Sequence, residues 1–340
     1  MDKNNVSINH VREPLFHIAK RDRIAKPKAY AIRTVAILLS LIVSAIVIVC
    51  ITGLNPLDVY VSMFKGAFGS NRRIWITIRD TMVLLCISVA LAPAFKMKFW
   101  NIGAEGQVLV GGIVTAGIMI YFGEALPTPL LLVIMLGSSI VVGAIWGLIP
   151  AVFKAYFNTN ETLFTLMMNY VAIQFTSFFV AKWENPFGSN SVGIINSRTK
   201  SGWFPAIAGQ QYLLNVIVVA IITIGIYFYM RKSKQGYEIS VVGESENTAK
   251  YAGINVKWVI IRTMVISGAL CGLAGFIAVS GVDHTISTGT AGGRGFTAII
   301  VAWMSKFNAF VMLAVSFFLV FLDQGAKEIA SNFNLNEYDS

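Results

Sequence analysis

Apolar runs of nearly bilayer-spanning length recur along the chain, at Val35–Gly53, Ile74–Ala94, Val108–Phe122, Leu130–Phe153, Leu163–Val180, Tyr212–Met230 and Val259–Gly281. A helix crosses the hydrocarbon core with about 20 mostly apolar residues. A last apolar region, Phe296–Phe321, is interrupted at Ser305 and Lys306 and reads as two elements, the first too short to span unaided. The pattern predicts an all-α, polytopic transmembrane helical bundle with about nine apolar elements. The stretch Phe99–Gln107 joins two runs, and its glycines, Gly103 and Gly106, predict a broken or re-entrant turn. Irregular backbone at membrane depth is tolerated only where protein or water covers it.

Composition narrows the class further. Of 340 residues, 56% are hydrophobic and only 13% charged, against about 25% charged in a typical soluble domain. So few charges cannot cover a soluble surface, which excludes a secreted disulfide scaffold, a disordered regulator and an ordinary cytosolic enzyme. The net charge of +10 is not a nucleic-acid signature, because the basic residues cluster beside apolar runs. With the N-terminus placed inside, seventeen of the 27 Lys and Arg fall on inside segments, eight fall outside, and Arg79 and Arg262 lie within spans. That asymmetry predicts a multi-pass cell-membrane protein with a cytoplasmic N-terminus. The first run follows a long basic segment and lacks a small-residue cleavage site, so it is expected to be an uncleaved span.

The expected organisation is a cytoplasmic basic segment (1–34), a transmembrane domain (35–323) and a polar C-terminal tail (324–340). Within the domain lie an ordered exterior loop (181–211) and a cytoplasmic loop (231–257), with a short helix at Ser245–Tyr251 ended by Gly253. Gly143 with Gly147, and Gly268 with Gly272, make small-xxx-small pairs that are expected to pack helices closely.

Candidate chemistry is sparse. The Gly292–Gly295 stretch lacks the Lys and following Ser/Thr of a phosphate-binding loop. The three cysteines, Cys50, Cys86 and Cys271, sit in apolar runs, and no zinc spacing or catalytic set is evident. The chain is therefore expected not to be an enzyme and to hold no metal or cofactor. Intramembrane polar residues stand out instead, because burying them unpaired is costly. Asn101, Glu105 and Gln107 are the foremost candidates for a substrate pathway, followed by Trp100, Asn169, Phe296 and Trp303. Glu161, Thr165 and Asn169 recur every fourth residue on one helix face, a face that interhelical hydrogen bonds would explain.

Several segments resemble one family. Asn101–Gln107 (NIGAEGQ), Asn160–Tyr170 (NETLFTLMMNY), Gly243–Ile254, Ser267–Gly275 (SGALCGLAG) and Gly295–Ala302 match, in order, the blocks of permease subunits of ATP-binding-cassette importers. The class serves branched-chain amino acids, simple sugars and nucleosides. The chain looks most like nucleoside permeases that work with a basic-membrane-lipoprotein type receptor. It departs at Ser245, Thr248, Thr297 and Ala298, where the family pattern has Asn, Ala, Asp and Gly. The resemblance implies an alternating-access path in this chain and a separate ATPase that consumes ATP. It also implies a substrate-binding lipoprotein and a second permease subunit, identical or paralogous. Gly243, Glu244, Ala249, Tyr251, Ala252, Gly253 and Ile254 would couple to the ATPase. It implies about ten apolar elements, one more than here, so at the polar end Asn334–Ser340 either the chain is cut short before a final helix or this member ends differently. Ribose-like sugars or branched-chain amino acids are the rival cargoes. An ion-coupled secondary transporter, with Glu105 as its carboxylate, is a remote alternative.

Overall fold

The computed structural model describes residues 25–334, all of whose regular elements are helical. The basic segment before residue 25 and the last six residues of the expected tail lie outside the described residues. The chain divides into two compact units after Val61. The first holds α1 (Lys26–Thr52), the most apolar helix of the chain, whose apolar window has no buried residue. A helix that is apolar all round belongs in a protein core or in lipid, and α1 has no such core around it. Within this unit the Tyr60 hydroxyl donates to the Leu41 carbonyl at 2.7 Å.

The second unit carries α3 (Asn71–Lys96), α4 (Ala104–Phe122), α5 (Thr128–Phe157), α6 (Glu161–Trp183), α7 (Leu213–Lys232), α8 (Lys234–Glu244), α9 (Glu246–Tyr251), α10 (Val256–Ala278), α11 (Arg294–Met304) and α12 (Ala309–Phe333). The helix α2 (Pro56–Phe68) runs across the division. A π-helical turn, Val279–Asp283, continues α10. Among the described residues eight helices, α1, α3–α7, α10 with its π-turn, and α12, are long and apolar enough to cross a membrane. The short apolar α11 is the ninth, which matches the expected bundle.

The core is built on α10, which packs against α5, α4 and α3. Windows of α10, α3 and α4 are two-thirds or more buried, whereas α5, α6, α7 and α12 keep most of their apolar surface outward. Small residues let α5 and α10 touch backbone to backbone. A Cβ on Gly272 would overlap the Ser139 carbonyl and lie 2.9 Å from the Gly143 Cα, and one on Gly147 would lie 2.6 Å from the Met264 carbonyl. Without a hydrophobic drive between helices in lipid, such close packing is what holds them.

Three expectations need correction. The polar tail does not begin at 324, because α12 continues to Phe333. Gly325, Ile329 and Ala330 form a buried stripe there, which carries the helix past its polar face. The break at 99–107 is shorter than expected: only Met97–Gly103 is irregular, and Glu105, Gly106 and Gln107 already belong to α4. Gly106 is tolerated inside the first turn because a neighbouring side chain accepts its free N–H, as described below. The 231–257 loop holds two helices rather than one, α8 preceding α9. The loop at 184–212 is ordered, burying Val192, Ile195 and Phe204 and donating from the Trp203 indole to the Ile195 carbonyl at 2.9 Å.

Candidate functional site: a buried polar junction and an open charged cavity

The irregular segment Met97–Gly103 leads into α4, whose first-turn N–H groups have no partner within the helix. Two side chains of α6 supply them. Asn169 accepts from Gly106 N and donates to the Ile102 carbonyl, both at 2.9 Å. Thr165 accepts from Ile102 N at 3.2 Å. Asn101 is fully buried and caps Gly103 N at 3.0 Å. Its amide group donates to Gln107 Oε1 and to Ser267 Oγ of α10, each at 3.3 Å. Asn101, Gln107 and Asn169 are thus brought together, with their amides turned onto the chain itself. Glu161, the third member of the α6 stripe, pairs with Lys154 of α5 at 2.9 Å.

Glu105 ties this junction to α11. Its carboxylate is nearly buried and accepts from Gly293 N at 2.7 Å and Gly295 N at 2.8 Å, across almost two hundred residues of sequence. At eleven residues α11 is about 16 Å long, half of what a bilayer core requires. Its N-terminal N–H groups therefore need an acceptor inside the protein, and the carboxylate also meets the positive end of the helix dipole. Only glycine fits at 295, where a Cβ would lie 2.5 Å from the Glu105 nitrogen and 2.8 Å from its carboxylate.

The aromatic candidates sit differently. Trp100 and Trp303 stack at 5.4 Å with planes 26° apart, and both meet Phe95 edge-on. Trp100, Trp303 and Phe296 are each over two-fifths exposed, so they face outward from this chain rather than into the amide cluster.

On the other side of α11 lies a charged group that the sequence reading passed over. Asp80 of α3 is buried. Arg79 Nε donates to its Oδ1 at 3.0 Å, and Gln324 Nε2 of α12 to its Oδ2 at 2.9 Å. Arg294, held between the two glycines that Glu105 clamps, reaches Oδ1 at 3.5 Å. The Arg79 guanidinium also lies 5.1 Å from the centre of the Tyr212 ring. Of these residues Asp80 and Arg294 line an open cavity of about 350 Å³ between α3, the 283–292 loop, α11 and α12. Its signal was in the sequence, since Arg79 and Asp80 interrupt an apolar run, but their partners come from remote segments.

The expected coupling segment divides by burial. Ser245 caps α9, accepting from Thr248 N at 3.2 Å. Gly243 and Ala249 are buried within the chain, and Ile254 is half-buried. Glu244, Tyr251, Ala252 and Gly253 are exposed, Tyr251 almost completely. Gly253 ends the helix with a left-handed φ of 75°.

Comparison with known proteins identifies the class. Over 271 residues the chain is 31% identical to the guanosine ABC transporter permease protein NupP of Bacillus subtilis (strain 168), covering 79% of this chain and 77% of that protein. It is 27% identical to the nucleoside ABC transporter permease protein NupB of Lactococcus lactis subsp. cremoris (strain MG1363), covering 90% and 86% of the two chains. It is also 27% identical to the glucose ABC transporter permease protein TsgB13 of Haloferax volcanii, covering 89% and 82%. No solved structure matches the chain. Residues 74–339 match the family described as "Branched-chain amino acid transport system / permease component". With eight apolar helices of spanning length among its described residues, the chain is a multi-pass membrane protein of that permease family, the class that includes the nucleoside and sugar permeases of ATP-binding-cassette importers.

Proposed function

We propose that the chain is the permease subunit of an ATP-driven nucleoside importer. The observation that carries this reading is the likeness, over most of both chains, to permeases named for guanosine and for nucleosides. The likeness to a glucose permease supports a second reading, a simple sugar as cargo. Guanosine and glucose both carry a vicinal diol, and guanosine adds a base.

In this reading the exposed Tyr251, Ala252 and Gly253 dock in a groove of a separate ATPase. ATP binding and hydrolysis there move the bundle between inward- and outward-open states. A second permease subunit completes the path, with the outward-facing Trp100, Phe296 and Trp303 toward it. A substrate-binding lipoprotein delivers cargo to the opposite face. The Lys and Arg asymmetry puts the N-terminus and the coupling segment in the cytoplasm.

The test is uptake of labelled uridine in cells with and without the intact gene, with ATP-depleted cells as control. Loss of ATP-dependent uptake on deletion is the expected result. Unchanged uptake, once other uridine carriers are deleted, removes the nucleoside assignment. Competition by excess unlabelled ribose or glucose, but not by other nucleosides, would favour the sugar reading.

A further inference from the structure

The cavity beside α11 is lined by charges at places where an apolar chain rarely keeps them. Asp80 lies ten residues into a membrane-spanning helix and Asp323 fifteen residues into another. Ionisable residues inside spans are costly and face a bundle interior or a polar space. Their hydrogen bonds show what that space can accept. Asp80 is saturated by Arg79, Gln324 and Arg294. Asp283 accepts no side-chain hydrogen bond and makes no ion pair among the described residues, and it lines the cavity. Arg294 spends one N–H on Asp80 at the long distance of 3.5 Å and keeps its remaining donors. Asp323 and Lys327 pair with each other at 2.7 Å and stay half exposed. Thr297 also lines the cavity, its hydroxyl donating to the Gly293 carbonyl at 3.2 Å.

Charge and size then select the ligand class. The lining carboxylates of Asp80, Asp283 and Asp323 are balanced by the lining cations Arg294 and Lys327 and by Arg79, which pairs with Asp80 from outside the lining, so neither a free anion nor a free cation is favoured. What the cavity offers is unspent acceptors next to unspent donors. Hydroxyl groups, which donate and accept at once, answer both. A carboxylate takes two neighbouring hydroxyls, and a guanidinium beside it donates to their oxygens. The volume, about 350 Å³, falls in the range of roughly 300–1,000 Å³ typical of small-molecule sites.

Resting on the importer reading above, we infer that this cavity is a binding station for the polyhydroxyl part of the cargo. Asp283 and Arg294 hold a vicinal diol, and Glu105 acts as a positioning residue by fixing the glycines on either side of Arg294. The base of a nucleoside would make no contact that the cavity's polar lining requires.

The test is substrate protection in membrane vesicles that hold the whole importer. In a Cys50→Ser background, which removes the exposed cysteine and leaves Cys86 and Cys271 buried, a Thr297→Cys variant is labelled with a membrane-impermeant thiol reagent. Uridine at about nine times its Kd is expected to slow labelling about tenfold, because the share of free sites falls as 1/(1 + [L]/Kd). An analogue lacking both ring hydroxyls is expected to leave it unchanged. Equal slowing by both compounds, or by neither, overturns the proposal. Gly289→Cys, at another exposed point of the same cavity, is read in the same way should Thr297→Cys fail to reach the membrane. Wild-type vesicles separate the two levels of failure. If they show gene-dependent uridine uptake but the variants show no protection, the cavity is refuted and the importer stands. If they show no such uptake, the importer reading fails and the proposal goes with it.

Discussion

Replacing Glu105 by Gln changes one oxygen for an NH2 group and almost nothing in volume. Two short hydrogen bonds end on that carboxylate, from Gly293 N at 2.7 Å and Gly295 N at 2.8 Å. The amide can accept only one of them. Its NH2 then faces the second N–H, donor against donor. The loss is one charge-assisted hydrogen bond, about 1.5–3 kcal/mol, plus an N–H left unsatisfied in a dry site, about 1–3 kcal/mol. Relaxation of α11 recovers part of this, so a net destabilisation of about 2–4 kcal/mol is expected. Glu105→Leu loses both bonds and should cost more. Thermal unfolding of the detergent-purified protein, followed by loss of the monodisperse size-exclusion peak, reads the effect. The expected order of melting temperatures is wild type, then Gln, then Leu. A Glu105→Gln variant that melts with the wild type while uptake collapses would refute this account. It would mean that the carboxylate serves the cargo or a proton rather than the helix end.

Other outcomes are equally open to measurement. Gly272→Ala would push a methyl into the Ser139 carbonyl and the Gly143 backbone, costing about 1–3 kcal/mol, whereas Gly137→Ala, with nothing within 4 Å, should be neutral or slightly stabilising in the same melting assay. Tyr251→Ala should leave the melting temperature unchanged, because the ring is almost fully exposed, yet weaken capture of the ATPase by about 2 kcal/mol in co-purification. His284 follows the end of the α10 span, stacked 3.7 Å from Trp203 with neither ring nitrogen bonded among the described residues, and burial pushes its pKa from 6.5 down to about 4. The folded state therefore binds fewer protons than the unfolded one, so stability is full above pH 6.5 and falls as the pH drops from there toward about 4. His284→Phe keeps the stack and should flatten that part of a melting-temperature profile.

Much of the bundle was legible because a spanning helix announces itself through length and hydropathy, and the break at Ser305 and Lys306 marked α11 as a short element. The helices α2 and α8 were missed for the opposite reason: they are only thirteen and eleven residues long, and polar residues are mixed through both. Polar groups set in an otherwise apolar stretch led to Asn101, Glu105 and Gln107, and the structure places all three in one junction. Their partners could not be read, since Ser267, Gly293 and Gly295 lie far away in sequence and become neighbours only through tertiary packing. Asp80 and Arg294 show the same limit. Each is an ordinary charge in its own segment, and the cavity exists only where α3, α11 and α12 meet.

The glycine contact between α5 and α10 has a consequence for how the molecule is made. Gly143 and Gly268 are separated by all of α6, α7, α8 and α9. At a synthesis rate of about 5–20 residues per second, α5 enters the bilayer roughly 6–25 s before its partner stripe leaves the ribosome. During that interval α10 is not yet there to fill the small-residue groove of α5. The α5–α10 contact therefore closes only after α6 and α7 have been made. Newly made chains should pass through an immature stage with α5 unpaired, the moment at which quality-control proteases can still distinguish a chain that will close from one that will not.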